Sequence, residues 1–140
     1  MKHEYHNPQT LPDWSGMFSQ VVVTEKNGLK FIHISGQVGV DQTKKLVGDG
    51  SFSAQTRQAL VNLRLALDSV GVSVQDVVKL IVYVVDYEYE QAGIIREELR
   101  AVFPLEQLPA LSLLGVAALA EKHFLIEIDA EVIAESSFIG

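Results

Sequence analysis

The clearest pattern of apolar and polar positions lies near the C-terminus. Phe124, Ile126, Ile128, Ala130 and Val132 alternate with Leu125, Glu127, Asp129 and Glu131, the period of two that marks a strand with one face buried. Residues 77–85 carry a different signature, β-branched and apolar at nearly every position, which predicts a central strand covered on both faces. Two further β-rich runs, 21–25 and 29–35, flank Lys26-Asn27-Gly28, and Asn-Gly between such runs predicts a hairpin. Residues 110–116, entered from Pro109, read as another strand.

Helical spacing appears twice. Phe52, Leu60, Leu63, Leu67 and Val70 form one stripe, with Ser51 or Ser53 available as N-cap and Gly71 as the residue that ends the helix. The second helix is expected from a cap at Asp86 to about Val102, with Glu88 and Glu90 in its first turn and Arg96 and Arg100 later, matching the helix dipole. Ile94, Ile95, Leu99 and Val102 would supply its buried side. Residues 1–19, with Pro8, Pro12 and Gly16 among polar residues, read as an extended arm. Residues 36–50 hold four glycines and read as a loop with room for one short strand.

The expected order is β-β-(β)-α-β-α-β-β. Two helices cannot cover both sides of so wide a sheet, so they should share one face in a layered α+β fold. The other face, with Leu111, Leu113 and Leu125 among acidic residues, is too apolar for water and implies burial against further copies of the chain.

Composition narrows the partners more than the fold. At 140 residues the chain suits a single domain, 1–140. No cysteine is present, which removes disulfides, thiolate nucleophiles and cysteine metal sites. Eighteen acids against eleven bases give a net charge of −7, and no basic stripe answers a phosphate backbone, so nucleic acid is not an expected partner. No apolar run reaches the length of a membrane span and the N-terminus has no signal pattern, so a cytoplasmic protein is expected, without a membrane partner.

Candidate chemistry is sparse. His3, His6, His33 and His123 show no metal-ligand spacing, so no metal site is expected. There is no nucleophile elbow around a serine. The glycines of 36–50 lack the strand-to-helix context of a nucleotide loop. Trp14 reads as an anchor for the arm.

Four stretches taken in order do carry a resemblance: Phe31-Ile32-His33-Ile34-Ser35-Gly36-Gln37-Val38; Gln55-Thr56-Arg57-Gln58-Ala59-Leu60; Gly71-Val72-Ser73 through Asp76-Val77-Val78-Lys79 to Asp86; and Pro109-Ala110 with Ile126-Glu127-Ile128-Asp129-Ala130. Together they resemble the Rid/YjgF family, also called endoribonuclease L-PSP, across about residues 16–134. The resemblance implies a chorismate-mutase-like fold, a six-stranded mixed sheet with two helices on one face. It also implies a homotrimer with a central β-barrel and a small-molecule cleft at each subunit interface. Deaminases of the family hydrolyse enamines and imines without metal or organic cofactor.

Such a reaction wants a cation for a substrate carboxylate and a carboxylate to position water. In the family the arginine follows Pro-Ala directly; here Leu111 follows Pro109-Ala110. The four arginines, Arg57, Arg64, Arg96 and Arg100, all fall on expected helices, and Arg96 is the nearest substitute, though a solvent-facing charge is its plainer reading. Other cleft positions map to Leu113, Ile94 and Phe18, which makes the expected cleft apolar. Ser35, Gly36 and Glu127 match the pattern, with Glu127 in the water-positioning place. Plainer readings stand beside these: a turn after a strand for Ser35-Gly36, and an acidic barrel lining for Glu127, Asp129 and Glu131.

Three functions follow from this. One is a cofactor-independent hydrolase of an enamine or imine metabolite, with Glu127 orienting water and no arginine capture of a carboxylate. Another is a non-catalytic small-molecule-binding trimer. The third, an endoribonuclease or translation inhibitor, is disfavoured by the acidic charge.

Overall fold

The structure is a computed structural model that describes residues 1–136; the last four residues of the expected 1–140 domain lie outside it. The elements run β1 (Lys2–His6), β2 (Val21–Lys26), β3 (Leu29–Val38), α1 (Phe52–Ser69), β4 (Val77–Val85), α2 (Gln91–Val102), β5 (Ala110–Val116) and β6 (Ile126–Glu135). The six strands form one sheet in the order β1-β2-β3-β6-β4-β5. β4 and β5 pair in parallel and the other neighbours are antiparallel. The fold is α+β with a mixed sheet, as expected.

The hairpin forms because Asn27 and Gly28 both adopt positive φ, 53° and 80°, the geometry that matches strand twist in a two-residue turn. α1 starts where Ser51 Oγ accepts the Ala54 N–H at 3.2 Å. It ends where Gly71 turns left-handed at φ 73° and the Val72 N–H returns 3.2 Å to the Leu67 carbonyl. α1 lies across β3 and β6, and α2 lies beside α1. Leu60, Leu63 and Leu67 from α1 meet Ile32, Leu80, Val82, Ile126 and Ile128 from the sheet, all fully buried. Each such side chain contributes about 1.5–3 kcal/mol by leaving water.

Four expectations need correction. The sixth strand is not in residues 36–50: residues 36–38 continue β3, and beyond them the described backbone to residue 50 makes only the isolated bridge Val40–Leu46. The N-terminal arm supplies it instead, as β1 on the outer edge of β2. Residues 41–45 are held as a tight turn by Asp41, whose carboxylate accepts from the Thr43 N–H at 2.8 Å and the Lys45 N–H at 3.2 Å.

Asp86 does not cap α2. It is left-handed at φ 49° and its N–H is bound to the Val116 carbonyl at 3.2 Å, so β5 holds it. The helix begins at Gln91, whose side-chain oxygen accepts the Glu88 N–H at 2.8 Å; Glu88 and Glu90 precede the helix. The last strand starts at Ile126, not Phe124, because the Leu125 N–H goes to Gln55 Oε1 at 2.9 Å.

Leu111 and Leu113 are not on the uncovered face. They are in register with Leu80 and Val82, two core residues, so their side chains point to the α2 side. Ser112 and Leu114 occupy the open face, opposite Ile81 and Tyr83. No described helix is long and apolar enough to cross a membrane.

Candidate functional site

The alternation of β6 places Glu127, Asp129 and Glu131 in one row on the open face, and each meets a different neighbour. Glu131 pairs with His33 across the β3 register, Oε2 to Nδ1 at 2.5 Å. Asp129 accepts a hydrogen bond from the Tyr83 hydroxyl at 3.1 Å. Lys79, farther along β4, donates to Ser112 Oγ at 2.9 Å. Glu127 takes no hydrogen bond and makes no ion pair among the described residues. Burial pushes its carboxyl above the ordinary glutamate value, and the charge of Asp129 adds to the rise. Burial raises Asp129 as well, against the opposing hydrogen bonds from Tyr83 and the Ile81 backbone.

The place of Glu127 is set by a break in β3. The β3–β6 register shifts between Ile34 and Gln37, so Ser35 and Gly36 form an irregular step. A Cβ added at Gly36 would lie 2.6 Å from Glu127 Cγ, so the bare backbone is what lets the carboxylate lie there. Ser35 is committed to structure: its hydroxyl donates to the Ser19 carbonyl at 2.6 Å and its N–H to the Gln20 carbonyl at 2.9 Å. Its oxygen retains acceptor capacity.

Glu127 and Gly36 form the floor of a cavity of about 170 Å³ walled by Trp14, Met17, Phe18, Val38, Ala120, Glu121 and Phe124. Trp14 begins a tight turn, receiving the Met17 and Phe18 N–H groups at 2.9 and 3.1 Å. That turn stacks Trp14 on Phe18, with centroids 6.5 Å apart. The opposite wall hangs on Gln55, which is fully buried on α1. Its amide donates to the Gly50 and His123 carbonyls at 3.0 and 2.9 Å while its oxygen takes the Leu125 N–H.

Phe18, Ser35, Gly36 and Glu127 are thus gathered at one end of the open face. Leu111 and Leu113 are elsewhere, in a second hollow on the α2 side that they share with Ala92, Ile95, Arg96, Leu99, Arg100 and Leu108. Ile94 lies half-buried on α2 and is not among the residues lining either hollow. The seven candidate residues therefore do not form one site within a chain. Sequence reasoning missed Trp14, Met17, Glu121 and Phe124 as cavity walls. The spacing of Trp14 and Phe18 was the available signal; the 119–125 segment offered none.

The arginines sort by neighbour. Arg57 makes a two-pronged pair with Glu98, at 2.7 and 3.2 Å, and Arg64 lines a groove between the helices. Arg96 and Arg100 border the α2–β5 hollow.

The family model for endoribonuclease L-PSP matches residues 9–135. The chain belongs to this family, the Rid/YjgF proteins. It is 33% identical to a rat 2-iminobutanoate/2-iminopropanoate deaminase over 115 residues, which covers 82% of this chain and 78% of that one. It is 32% identical to a RutC family protein of Pyrococcus horikoshii, over 87% of this chain and 90% of the other. Among solved structures it resembles RidA from an Antarctic Psychrobacter, with TM-score 0.78 and 27% identity over 92% of this chain and 98% of that one. The YjgF gene product of E. coli gives TM-score 0.75 and 27% identity, over 93% and 98%.

Within this Rid/YjgF chain the two hollows differ in charge. No strand bears an arginine. The Glu127 cavity has two carboxylates and no basic residue in its lining. The α2–β5 hollow has two arginines and no acid.

Proposed function

We propose that this Rid/YjgF protein is a cofactor-independent hydrolase of an enamine- or imine-type metabolite, with Glu127 positioning the attacking water. The observation that carries this reading is the unpartnered carboxylate of Glu127, lying over Gly36 at the floor of an aromatic cavity. Burial raises its proton affinity above that of an ordinary glutamate, the direction that favours a carboxylate taking a proton from water. Water would add to the C=N carbon while its proton passes to Glu127. With the C=N group protonated at the start, Glu127 would return the water's proton to the carbinolamine nitrogen. The C–N bond would break as the hydroxyl proton passes to the departing ammonia, and a carbonyl compound and ammonium would leave. The rat relative's named substrates, 2-iminobutanoate and 2-iminopropanoate, support the reaction class. They do not extend to the carboxylate, since Leu111 cannot hold one.

The same proposal includes the assembly. Tyr5, Phe31, Leu114 and Ile133 are exposed, and the register places all four on the sheet face without helices, a surface suited to burial against further copies. Three copies would close these faces around a central barrel. A subunit interface would also bring the α2–β5 hollow of one copy beside the Glu127 cavity of the next, joining Leu111, Leu113 and Ile94 to Phe18, Ser35, Gly36 and Glu127. The second reading, a trimer that binds a small molecule without turnover, is favoured by the apolar walls of both hollows.

Ammonia release from freshly generated imines, measured beside light scattering, tests the proposal. A trimer whose turnover is lost in Glu127→Gln is expected. A trimer that binds but turns over no imine supports the second reading, and a monomer at micromolar concentration contradicts the shared cleft.

A further inference from the structure

The charge and shape of the Glu127 cavity carry a statement about what enters it. The floor is a carboxylate without a partner, the rim holds a second carboxylate on Glu121, and the walls include Trp14, Phe18, Phe124 and Met17. The ammonium group of Lys44 stands at the aromatic wall. It lies 4.4 Å from the Trp14 ring centroid, outside the residues that line the cavity. Within a chain Arg96 and Arg100 border the α2–β5 hollow, on the other side of the sheet, and in the proposed assembly they would approach this cavity only from a neighbouring copy. A carboxylate entering here would meet two like charges in a half-desolvated space, an arrangement that costs several kcal/mol in general. A cation would meet a carboxylate at the base and aromatic side chains in the wall, groups of the kind that hold alkylammonium ions. The hollow within one chain is also small. About 170 Å³ is close to the space of roughly 150 Å³ that accepts a benzene ring.

We propose that the Glu127 cavity selects a compact, apolar amine-derived cation, an iminium ion or the corresponding primary ammonium, and turns away carboxylates. The inference deepens the reading of Glu127 as the water-positioning group and rests on it for the reactive case. An iminium ion is the form of an imine most open to attack by water. The positive carbon–nitrogen unit would lie against Glu127, its hydrocarbon part between Trp14, Phe18 and Phe124. The overall change is iminium plus water to carbonyl compound plus ammonium, with no oxidant or other reactant. The natural source of such a substrate would be an enzyme that oxidises a small primary amine lacking a carboxylate.

Calorimetric titration of the native protein with benzylammonium, benzyl alcohol and benzoate at one ionic strength tests the selection. Benzylammonium is expected to bind at least about tenfold more tightly than benzoate, a difference of about 1.4 kcal/mol. Glu127→Gln should abolish that ratio, and Trp14→Leu should weaken benzylammonium more than benzyl alcohol. Equal or tighter binding of benzoate overturns the proposal, as does failure of all three probes to bind. So does binding or turnover of a carboxylate that is lost in Arg96→Gln. Ammonia release from the imines of benzaldehyde and of pyruvate separates this inference from the hydrolase reading. Selective benzylammonium binding with neither imine hydrolysed keeps the ligand class and removes the hydrolase. Turnover of the pyruvate imine alone keeps the hydrolase and removes the ligand class.

Discussion

The carboxylate of Glu127 occupies the space where Gly36 would carry a side chain, so a residue of β6 is positioned by an absence in β3. Gly36→Ala should force the carboxylate aside. Overpacking of this kind costs about 1–3 kcal/mol, which urea unfolding would read. Turnover or ligand binding should fall well beyond what that loss of stability explains, because the fold survives while the group that faces the cavity is displaced.

The acidic row gives a pH dependence of unusual sign. The carboxyl groups of Glu127 and Asp129 have raised values in the folded chain. Above those values both are ionised in a poorly hydrated place, and the folded state is destabilised. As pH falls through the raised values toward the ordinary 4.5 of glutamate and 3.8 of aspartate, the folded state takes up protons first and that destabilisation is relieved. Glu127→Gln should therefore be more stable than the native protein near about pH 8, with the gap closing by about pH 4. Urea midpoints at the two pH values check this. A variant less stable than native at the higher pH would reverse the sign.

Gln55 is expected to matter to the cavity although it does not line it. It holds Gly50, His123 and Leu125 at once, so it fixes the segment that carries Ala120, Glu121 and Phe124. Gln55→Ala should cost about 1–3 kcal/mol for the unsatisfied groups it leaves. Amide exchange should rise first in residues 119–125, before the sheet loosens. Uniform exchange across the fold would instead make Gln55 a general core residue.

Much of the fold could be read from local pattern. The alternation at 124–132 gave the faces of the β6 residues from Ile126 to Val132, and Asn27-Gly28 gave the hairpin, because period and turn chemistry act over a few residues. The errors arose where distant contacts decided. β1 became a strand only because β2 offered an edge, and Asp86 lost its capping role to the Val116 carbonyl. The face of Leu111 and Leu113 depends on register with β4, which the β5 sequence does not encode. For the site, Glu127, Gly36 and Phe18 were found through their motif places and do lie together. Trp14 and the 119–125 wall were missed because a cavity wall made by loops leaves no periodic trace.

Mixing two disabled variants tests most directly whether the site is shared between copies. Glu127→Gln spoils the cavity and keeps the α2–β5 hollow. Leu111→Asp, at a partly exposed position, spoils the hollow and keeps the cavity. Each alone should be inactive in imine hydrolysis while forming folded trimers. Unfolding and refolding the two together should restore activity, up to about a quarter of the native level for random assembly of sites that draw on neighbouring copies. If mass spectrometry shows mixed trimers and activity stays at the level of the separate variants, the two hollows do not form one site.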